Sequence, residues 1–286
     1  MMSDEKSELA RLRNEIDRID HSMHELLMER GRMISALQNA KGVGAQKGSG
    51  AMRPAREARM MNAIEGRHEG PLPLAVAERI WREIIAAFTQ LQAGFDVYAT
   101  GPDKAALAEM TRFYFGVTTK VSMLDNVDAV IDKTQTNKRA VGFIAGRIAC
   151  KTGTPWWVKL ARMPDRQARV VARYPFFDGY EENTWGMESW LVSQAPFEPS
   201  GDDCTLIAID NDPDNLDAVT AGIKSPWVEV DRALVDGETS ILLRIEAYLG
   251  QDEIAGKIPA QASFVHLGGY SRFRQKKVIA GNRNDE

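Results

Sequence analysis

A stripe of apolar residues near the N-terminus constrains the fold more than any other feature of this sequence. Between residues 8 and 41, apolar side chains recur every three or four positions, no proline interrupts the segment, and Gly31 is its only glycine. Such heptad-like spacing predicts a single helix roughly 50 Å long. The stripe consists of Leu9, Leu12, Ile16, Ile19, Met23, Leu26, Met33 and Leu37.

Two further helices are predicted before the chain changes character near Gly94. One runs from Pro54 to about Gly66, because proline suits the first helical position, and the other runs from Leu74 to about Leu91. A domain of about 90 residues with three helices cannot cover the whole apolar stripe of a helix this long. The uncovered part predicts a homodimer with an extended helical interface.

Beyond Gly94 the pattern alternates between strands and helices. Strands are predicted at "FDVYAT", "TKVSML", "RAVGFIA", "RVVARYPF" and "ESWLVSQ", with helices over 103–115 and 125–133. From Cys204 the predicted order is βαββαβ, which is typical of a ferredoxin-like unit. The predicted organisation is therefore multidomain: an all-α domain (1–94), an α/β lobe (95–202), and a ferredoxin-like unit with a tail (203–286).

Composition narrows the classes of function. The 286 residues carry a net charge of −4, which argues against nucleic acid as a partner. Cys150 and Cys204 match no metal or disulfide pattern and fit a reducing compartment. No apolar run approaches the roughly 20 residues of a membrane span, and the charged N-terminus lacks an apolar signal segment. We expect a cytoplasmic protein with no membrane partner, no metal and no cofactor.

Polar side chains occupy inward positions on all three predicted helices. They are four cations and one amide, and no acidic residue enters the stripes with them. An unpaired buried cation costs several kcal/mol, so a bound anion is the economical explanation. The alternative is that they reach the surface or pair with Glu29, Glu57 or Glu83. The five residues are Arg13, Arg30, Lys41, Arg56 and Gln92.

Three segments of this region resemble the all-helical chorismate mutases over about residues 8–93. They are "LRNEIDRIDHSMHELLMERGRMISALQNAK", "RPARE" and "IWREIIAAFTQLQ". The resemblance implies an intertwined homodimer with two equivalent sites that rearrange chorismate to prephenate. It also implies chemistry without a nucleophile, metal or cofactor.

The resemblance assigns the arginines to the two carboxylates of chorismate. Arg13 would hold one carboxylate, and Arg30, donated by the other subunit, would hold the second. Arg56 would support the carboxylate region. The guanidinium fork suits this task because it binds a carboxylate with two hydrogen bonds.

The remaining assigned residues concern the reacting bond and the ring hydroxyl. Lys41 and Gln92 would flank the ether oxygen of the breaking bond, and Glu57 would accept a hydrogen bond from the ring hydroxyl. Two positions depart from the family: Arg53 stands where an acidic residue is common, and Phe88 where a serine is common. The arginine at position 53 calls one contact with a substrate hydroxyl into question. The phenylalanine at position 88 predicts a drier wall of the substrate pocket.

The second half resembles, with little motif identity, a shortened prephenate dehydratase followed by an ACT-like regulatory unit. "VYATGPDKAALAEMTRFYFG" resembles the dehydratase opening, and "VHLGGYSRF" the end of the regulatory unit. The dehydratase Thr-Arg-Phe motif precedes a late strand, whereas Thr111–Phe113 falls in a predicted early helix. We therefore expect this half to be non-catalytic. "TPWWVKLARM" is interpreted as core, and an aromatic amino acid effector stays open.

Two other functions remain as alternatives to a chorismate mutase. The same helical fold supports an isochorismate pyruvate lyase, and a non-catalytic protein could use the domain for ligand sensing or assembly. The fused dehydratase-like half favours the mutase over the lyase, and the full set of donors disfavours the non-catalytic alternative. We also expect a chain ending near Gly94 to keep both the site and the dimer.

Overall fold

The computed structural model describes residues 2–45, 52–146, 150, 152–176, 188–210, 216–260 and 262–272, and in the first helix the side chains of residues 5–40. The three predicted N-terminal helices are present: α1 (Met2–Ala45), α2 (Pro54–Gly66) and α3 (Leu74–Gln92). α1 continues four residues beyond the predicted end at Lys41, since a glycine inside a helix costs only about 1 kcal/mol.

The C-terminal part of α1 packs against α3, and its N-terminal part projects from the molecule. Gly31 lies close enough to Phe88 for a Cβ there to approach the ring to 3.6 Å. All eight apolar residues of the predicted stripe are exposed, from 40% for Leu37 to 63% for Leu26. In a single chain the stripe therefore has no cover. Within the described residues, no helix is long and apolar enough to cross a membrane.

An α/β region follows the helices. Its first part contains β1 (Asp96–Thr100), α4 (Lys104–Phe115), β2 (Val121–Met123), α5 (Val127–Thr136), β3 (Ala140–Ala145), α6 (Trp156–Ala161), β4 (Arg169–Tyr174) and β5 (Ser189–Ser193). Its second part contains β6 (Asp203–Asp210), α7 (Leu216–Thr220), β7 (Trp227–Val235), β8 (Glu238–Ile245), α8 (Gln251–Ala255) and β9 (Ser263–Ser271). All nine strands coincide with predicted strands. Sequence reasoning missed α6, because six residues are too few to show a helical period.

The nine strands form one sheet in the order β2-β1-β3-β5-β4-β9-β6-β8-β7. β1 pairs in parallel with β2 and β3. The four strands at the other end have the order and antiparallel pairing of a ferredoxin-like unit. The assignment of this unit as ACT-like stays a prediction, as do the domain boundaries.

The two predicted parts of the α/β region share this sheet through β4 and β9. They pair in parallel at Val170 and Gly268. Gly268 has φ +96, and a Cβ there would lie 2.2 Å from the carbonyl oxygen of Val170. Only glycine combines that backbone conformation with so close an approach. One buried cluster contains residues from both sides of this junction, such as Trp190 and Leu206.

The α/β region also packs against α2 and α3. Met61 and Ile64 of α2 are buried in a cluster that includes Phe176, which follows β4. The Arg59 guanidinium donates a hydrogen bond to the Pro199 carbonyl (2.7 Å). The backbone N–H of Val117 donates to the Glu83 carboxylate on α3 (3.0 Å). The helical domain is therefore not structurally separate from the rest of the chain.

Two interpretations of the α/β sequence can be compared with the structure. Trp156 and Trp157 are 4% and 2% exposed, so their assignment to the core is confirmed. Thr111 lies inside α4, where its hydroxyl donates to the Leu107 carbonyl of the preceding turn (2.8 Å). The Thr-Arg-Phe tripeptide is therefore helical, as predicted, and its threonine hydroxyl is committed to the backbone.

Candidate functional site

A cavity of about 410 Å³ lies among the three N-terminal helices. α1 contributes residues from its C-terminal half, α2 its first two turns, and α3 its last two turns. The cavity brings together four of the six predicted site residues: Arg30, Arg56, Glu57 and Gln92. The complete lining is Arg30, Met33, Ile34, Leu37, Arg53, Arg56, Glu57, Met60, Ile85, Phe88, Thr89 and Gln92.

Arg30 is held in the cavity by two aromatic rings of α3. Its guanidinium carbon lies 5.0 Å from the ring centroid of Phe88 and 5.7 Å from that of Trp81. Both distances are in the range of a cation–π contact, which fixes the cation without neutralising its charge. Burial lowers the pKa of Arg30, and the positive charge of Arg56 lowers it further. Arg30 stays charged, since its normal pKa is far above neutrality.

The cavity carries excess positive charge. Arg30, Arg53 and Arg56 all line it, and among the described residues none of the three forms an ion pair with an acidic side chain. Arg56 is exposed in the single chain but faces this opening. The one acidic side chain in the wall, Glu57, is engaged elsewhere. This distribution of charge suits an anionic ligand, and the guanidinium groups suit carboxylates.

Glu57 is 9% exposed and pairs with a buried arginine behind the cavity. Arg82 of α3 donates from Nη1 to Oε2 of Glu57 over 3.4 Å. Burial raises the pKa of the Glu57 carboxyl, and the positive charge of Arg82 opposes that change. The carboxylate can therefore act as an acceptor at the cavity wall, provided that Arg82 keeps its place.

Gln92 is placed by a contact between α1 and the end of α3. The side-chain amide of Gln38 donates to the carbonyl oxygens of Leu91 and Gln92, at 2.7 Å in each case. These carbonyls belong to the last turn of a helix, where no intrahelical partner is available. Gln38 thus fixes the residue whose side chain lines the cavity, and the sequence pattern gave no sign of this contact.

Arg13 lies outside this cavity. It is exposed on α1, 17 positions before Arg30, which corresponds to roughly 25 Å along the helix axis. An arginine side chain cannot span that distance, so Arg13 cannot reach the cavity of its own chain.

Arg30, in contrast, lines the cavity of its own chain, and the expectation that it is donated by the other subunit does not agree with this placement. The Lys41 side chain lies outside the described residues.

Sequence reasoning missed several residues that shape the site. Phe88 is predicted to form a drier wall of the pocket, but the sequence gives no sign that its ring supports Arg30. Arg82 was not singled out, although Glu78 stands four positions before it, the spacing of a helical ion pair. Within the described chain, no cluster of three or more His, Cys, Asp or Glu side chains is arranged to hold a metal ion.

The fold and the cavity define a three-helix domain with a site suited to an anion. Residues 12–93 match the family described as chorismate mutase type II. The chain therefore has a chorismate mutase type II domain at its N-terminus.

Two curated relatives contain such a domain. The chain is 28% identical over 127 residues to a bifunctional chorismate mutase/prephenate dehydratase of Neisseria gonorrhoeae, covering 44% of this chain and 33% of that protein. It is 27% identical over 128 residues to the protein of the same description from Pseudomonas aeruginosa, covering 43% of this chain and 35% of that protein. The alignments span about a third of the length of these relatives.

The α/β region has a distant likeness to a solved structure. The prephenate dehydratase from Streptococcus mutans aligns with 63% of this chain and 100% of its own length, with 13% sequence identity and a TM-score of 0.43. A likeness at this level does not define the activity of the α/β region.

Proposed function

We propose that this protein is a chorismate mutase that rearranges chorismate to prephenate. The observation that carries the proposal is the cavity itself: Arg30 and Arg56, which form no ion pair among the described residues, line a space of about 410 Å³ in the domain that matches chorismate mutase type II. Chorismate is a dianion with two carboxylates, and the cavity offers cations whose charge is not neutralised, because its one carboxylate, Glu57, is paired with Arg82. We assign Arg30 and Arg56 to substrate carboxylates.

The reaction is intramolecular, so the protein must hold the substrate folded and stabilise charge on the ether oxygen. Gln92 and Lys41 are the proposed donors to that oxygen. Gln92 lines the cavity at the end of α3, and Lys41 follows Leu37 by one helical turn on α1. Fixed donors in a site shielded from water stabilise developing charge without reorganising. Glu57 is the proposed acceptor for the ring hydroxyl.

We further propose a homodimer in which Arg13 completes the partner's site. The apolar stripe of α1 is exposed along its length, and burying each such side chain contributes roughly 1.5–3 kcal/mol. A second copy of α1 offers a matching stripe, as a two-fold interface requires. Arg13 lies near the outer end of the stripe and is available to a second chain. This proposal exchanges the roles that the sequence analysis gave to the two arginines: Arg13 is donated by the other subunit, and Arg30 belongs to the chain that forms the cavity.

The test is to incubate the purified full chain with chorismate and to identify the products by chromatography and mass spectrometry. We expect prephenate, and no phenylpyruvate at enzymatic rates, because the Thr-Arg-Phe tripeptide lies within α4, where its threonine hydroxyl is bonded to the backbone. Parallel incubation with isochorismate tests the lyase alternative, which requires pyruvate as a product. Absence of prephenate under conditions in which the protein is folded would refute the proposal.

A further inference from the structure

We infer that Arg82 and Tyr114 are positioning residues through which the α/β region holds Glu57 in the wall of the mutase cavity. The inference deepens the proposed mutase function and rests on it. Under this inference the α/β region contributes to the mutase site. The sequence, in contrast, predicted that the helical domain alone is sufficient for the site and its activity.

Arg82 is buried at the centre of this arrangement. Only 2% of the residue is exposed, and its Nε lies 3.8 Å from Oε1 of Glu78, too far for a hydrogen bond. The Nε atom has no hydrogen-bond partner among the described residues. Its contact with Glu57, at 3.4 Å, is also long. Hydrogen bonds to carboxylates therefore do not by themselves explain where the guanidinium sits.

Two aromatic rings from the α/β region supply the missing constraint. The guanidinium carbon of Arg82 lies 4.2 Å from the ring centroid of Tyr114 and 5.0 Å from that of Phe176. Tyr114 belongs to α4 and Phe176 follows β4, so both lie outside the segment matched to the mutase family. A cation–π contact in a site without water is stronger than one at the surface. The α/β region thus fixes Arg82 from the side opposite the cavity.

Glu57 lies between the mutase cavity and the contact of Arg82 with the α/β region. It lines the 410 Å³ cavity, and it also lines a space of about 10 Å³ together with Arg82 and Tyr114. With Arg82 in place, a space of that size has room for at most one water molecule, so the arginine is the main partner of the carboxylate on this side. Displacement of Arg82 would leave Glu57 buried without its counter-charge. Its carboxylate would then protonate or turn away and no longer accept from a ring hydroxyl.

The experiment removes the ring of Tyr114 in the full chain. We compare Tyr114→Leu with Phe95→Leu, since Phe95 is 6% exposed in the same core cluster and its ring packs on Phe115 instead of Arg82. Both variants lose an aromatic ring from the core, and only the first loses the face beneath Arg82. Tyr114→Phe keeps that face and removes only the hydroxyl, which also hydrogen-bonds with Arg82, so it serves as the conservative variant.

Each variant is assayed with chorismate and with an analogue that lacks the ring hydroxyl. Tyr114→Leu should lower kcat/KM for chorismate about ten- to a hundred-fold, as expected when a hydrogen bond to a charged group is lost. It should lower kcat/KM for the analogue much less. Phe95→Leu should affect both substrates equally, and Tyr114→Phe should recover most of the loss. Equal losses with both substrates in Tyr114→Leu would overturn the inference.

A second readout does not depend on turnover. In protein labelled with carbon-13 at glutamate carboxyls, the Glu57 resonance, assigned from Glu57→Gln, is titrated in each variant. The loss of the ring beneath Arg82 should raise the pKa of Glu57 in Tyr114→Leu, whereas Phe95→Leu should leave that pKa unchanged. A wild-type chain without mutase activity refutes the proposed function, whereas an unchanged Glu57 titration in Tyr114→Leu refutes the positioning role.

Discussion

The guanidinium of Arg30 lies over the ring of Phe88, 5.0 Å from its centroid, inside the cavity of its own chain. A serine at position 88 would offer no such face. The phenyl ring therefore orients the cation through a cation–π contact. This pair also places Arg30 in the wall of the cavity of its own chain.

Replacing Arg30 by lysine should nearly abolish the proposed mutase activity. Lysine keeps a positive charge but lacks the planar fork that binds a carboxylate with two hydrogen bonds. We expect kcat/KM for chorismate to fall at least about a hundred-fold, which corresponds to the loss of roughly 3 kcal/mol. Arg32→Lys, at an exposed position of α1 outside the cavity, is the matched control. Steady-state kinetics that leave Arg30→Lys within a few-fold of wild type would remove Arg30 from the site.

Mixing inactive variants tests which arginine crosses the proposed dimer interface. Arg13→Ala and Arg56→Ala should each be nearly inactive. After subunit exchange, half of the dimers are mixed and each has one intact site, so about a quarter of wild-type activity should return. Arg30→Ala mixed with Arg56→Ala should not recover, because both residues line the same cavity of one chain. The opposite pattern, with exchange verified by mass spectrometry, would return Arg30 to the partner's site.

A charge placed in the stripe of α1 should prevent dimerisation without unfolding the chain. Ile16 is 57% exposed in the single chain, so Ile16→Glu loses no contact within it. In a dimer the same carboxylate would be buried without a partner, at a cost of several kcal/mol. Sedimentation velocity should show a monomer for Ile16→Glu and a dimer for wild type. Asp17→Ala, one position along the same helix, should behave as wild type. An Ile16→Glu protein that remains dimeric would place the interface elsewhere.

The stability of the protein should fall as pH rises because of Glu78. Burial raises its pKa from 4.5 to about 7, although Arg82 opposes the change. Between these values the native state holds a proton that the unfolded state has released, so the free energy of unfolding decreases with rising pH. Glu78→Gln should remove this dependence. The difference in stability between variant and wild type should then shift by roughly 2–3 kcal/mol from pH 5 to pH 8.

Urea denaturation at the two pH values measures this shift. Glu69→Gln, at an exposed position, is the control and should change the difference by only a few tenths of a kcal/mol. If the free energies of unfolding of wild type and Glu78→Gln change equally between the two pH values, Glu78 is ionised at no cost, in conflict with its burial.

Removal of Lys41 should leave the fold intact and impair catalysis. If Lys41 stabilises charge on the ether oxygen, Lys41→Ala should lower kcat about 10²- to 10³-fold, the typical loss of one such donor. Circular dichroism should be unchanged, since alanine favours the helix at this position. Near-normal turnover in Lys41→Ala would remove this lysine from the proposed mechanism.

Local pattern alone predicted the three helices, all nine strands and the exposed stripe of α1. Hydrophobic period and glycine or proline breaks are properties of short segments, so they can be read without knowing what lies nearby. The inward donors Arg30, Arg56 and Gln92 were also visible, because a polar residue in an apolar stripe is out of place wherever the helix packs.

The tertiary structure alone decided which of these donors share a cavity. Arg13 and Arg30 occupy the same stripe, and only the packing of α1 on α3 shows that one of them is out of reach. The contact of Arg82 with Tyr114 joins residues 32 positions apart on elements that sequence reasoning assigned to separate domains. Helical period describes the face of one helix, whereas a site depends on which faces meet, and that is fixed by packing over long separations in the chain.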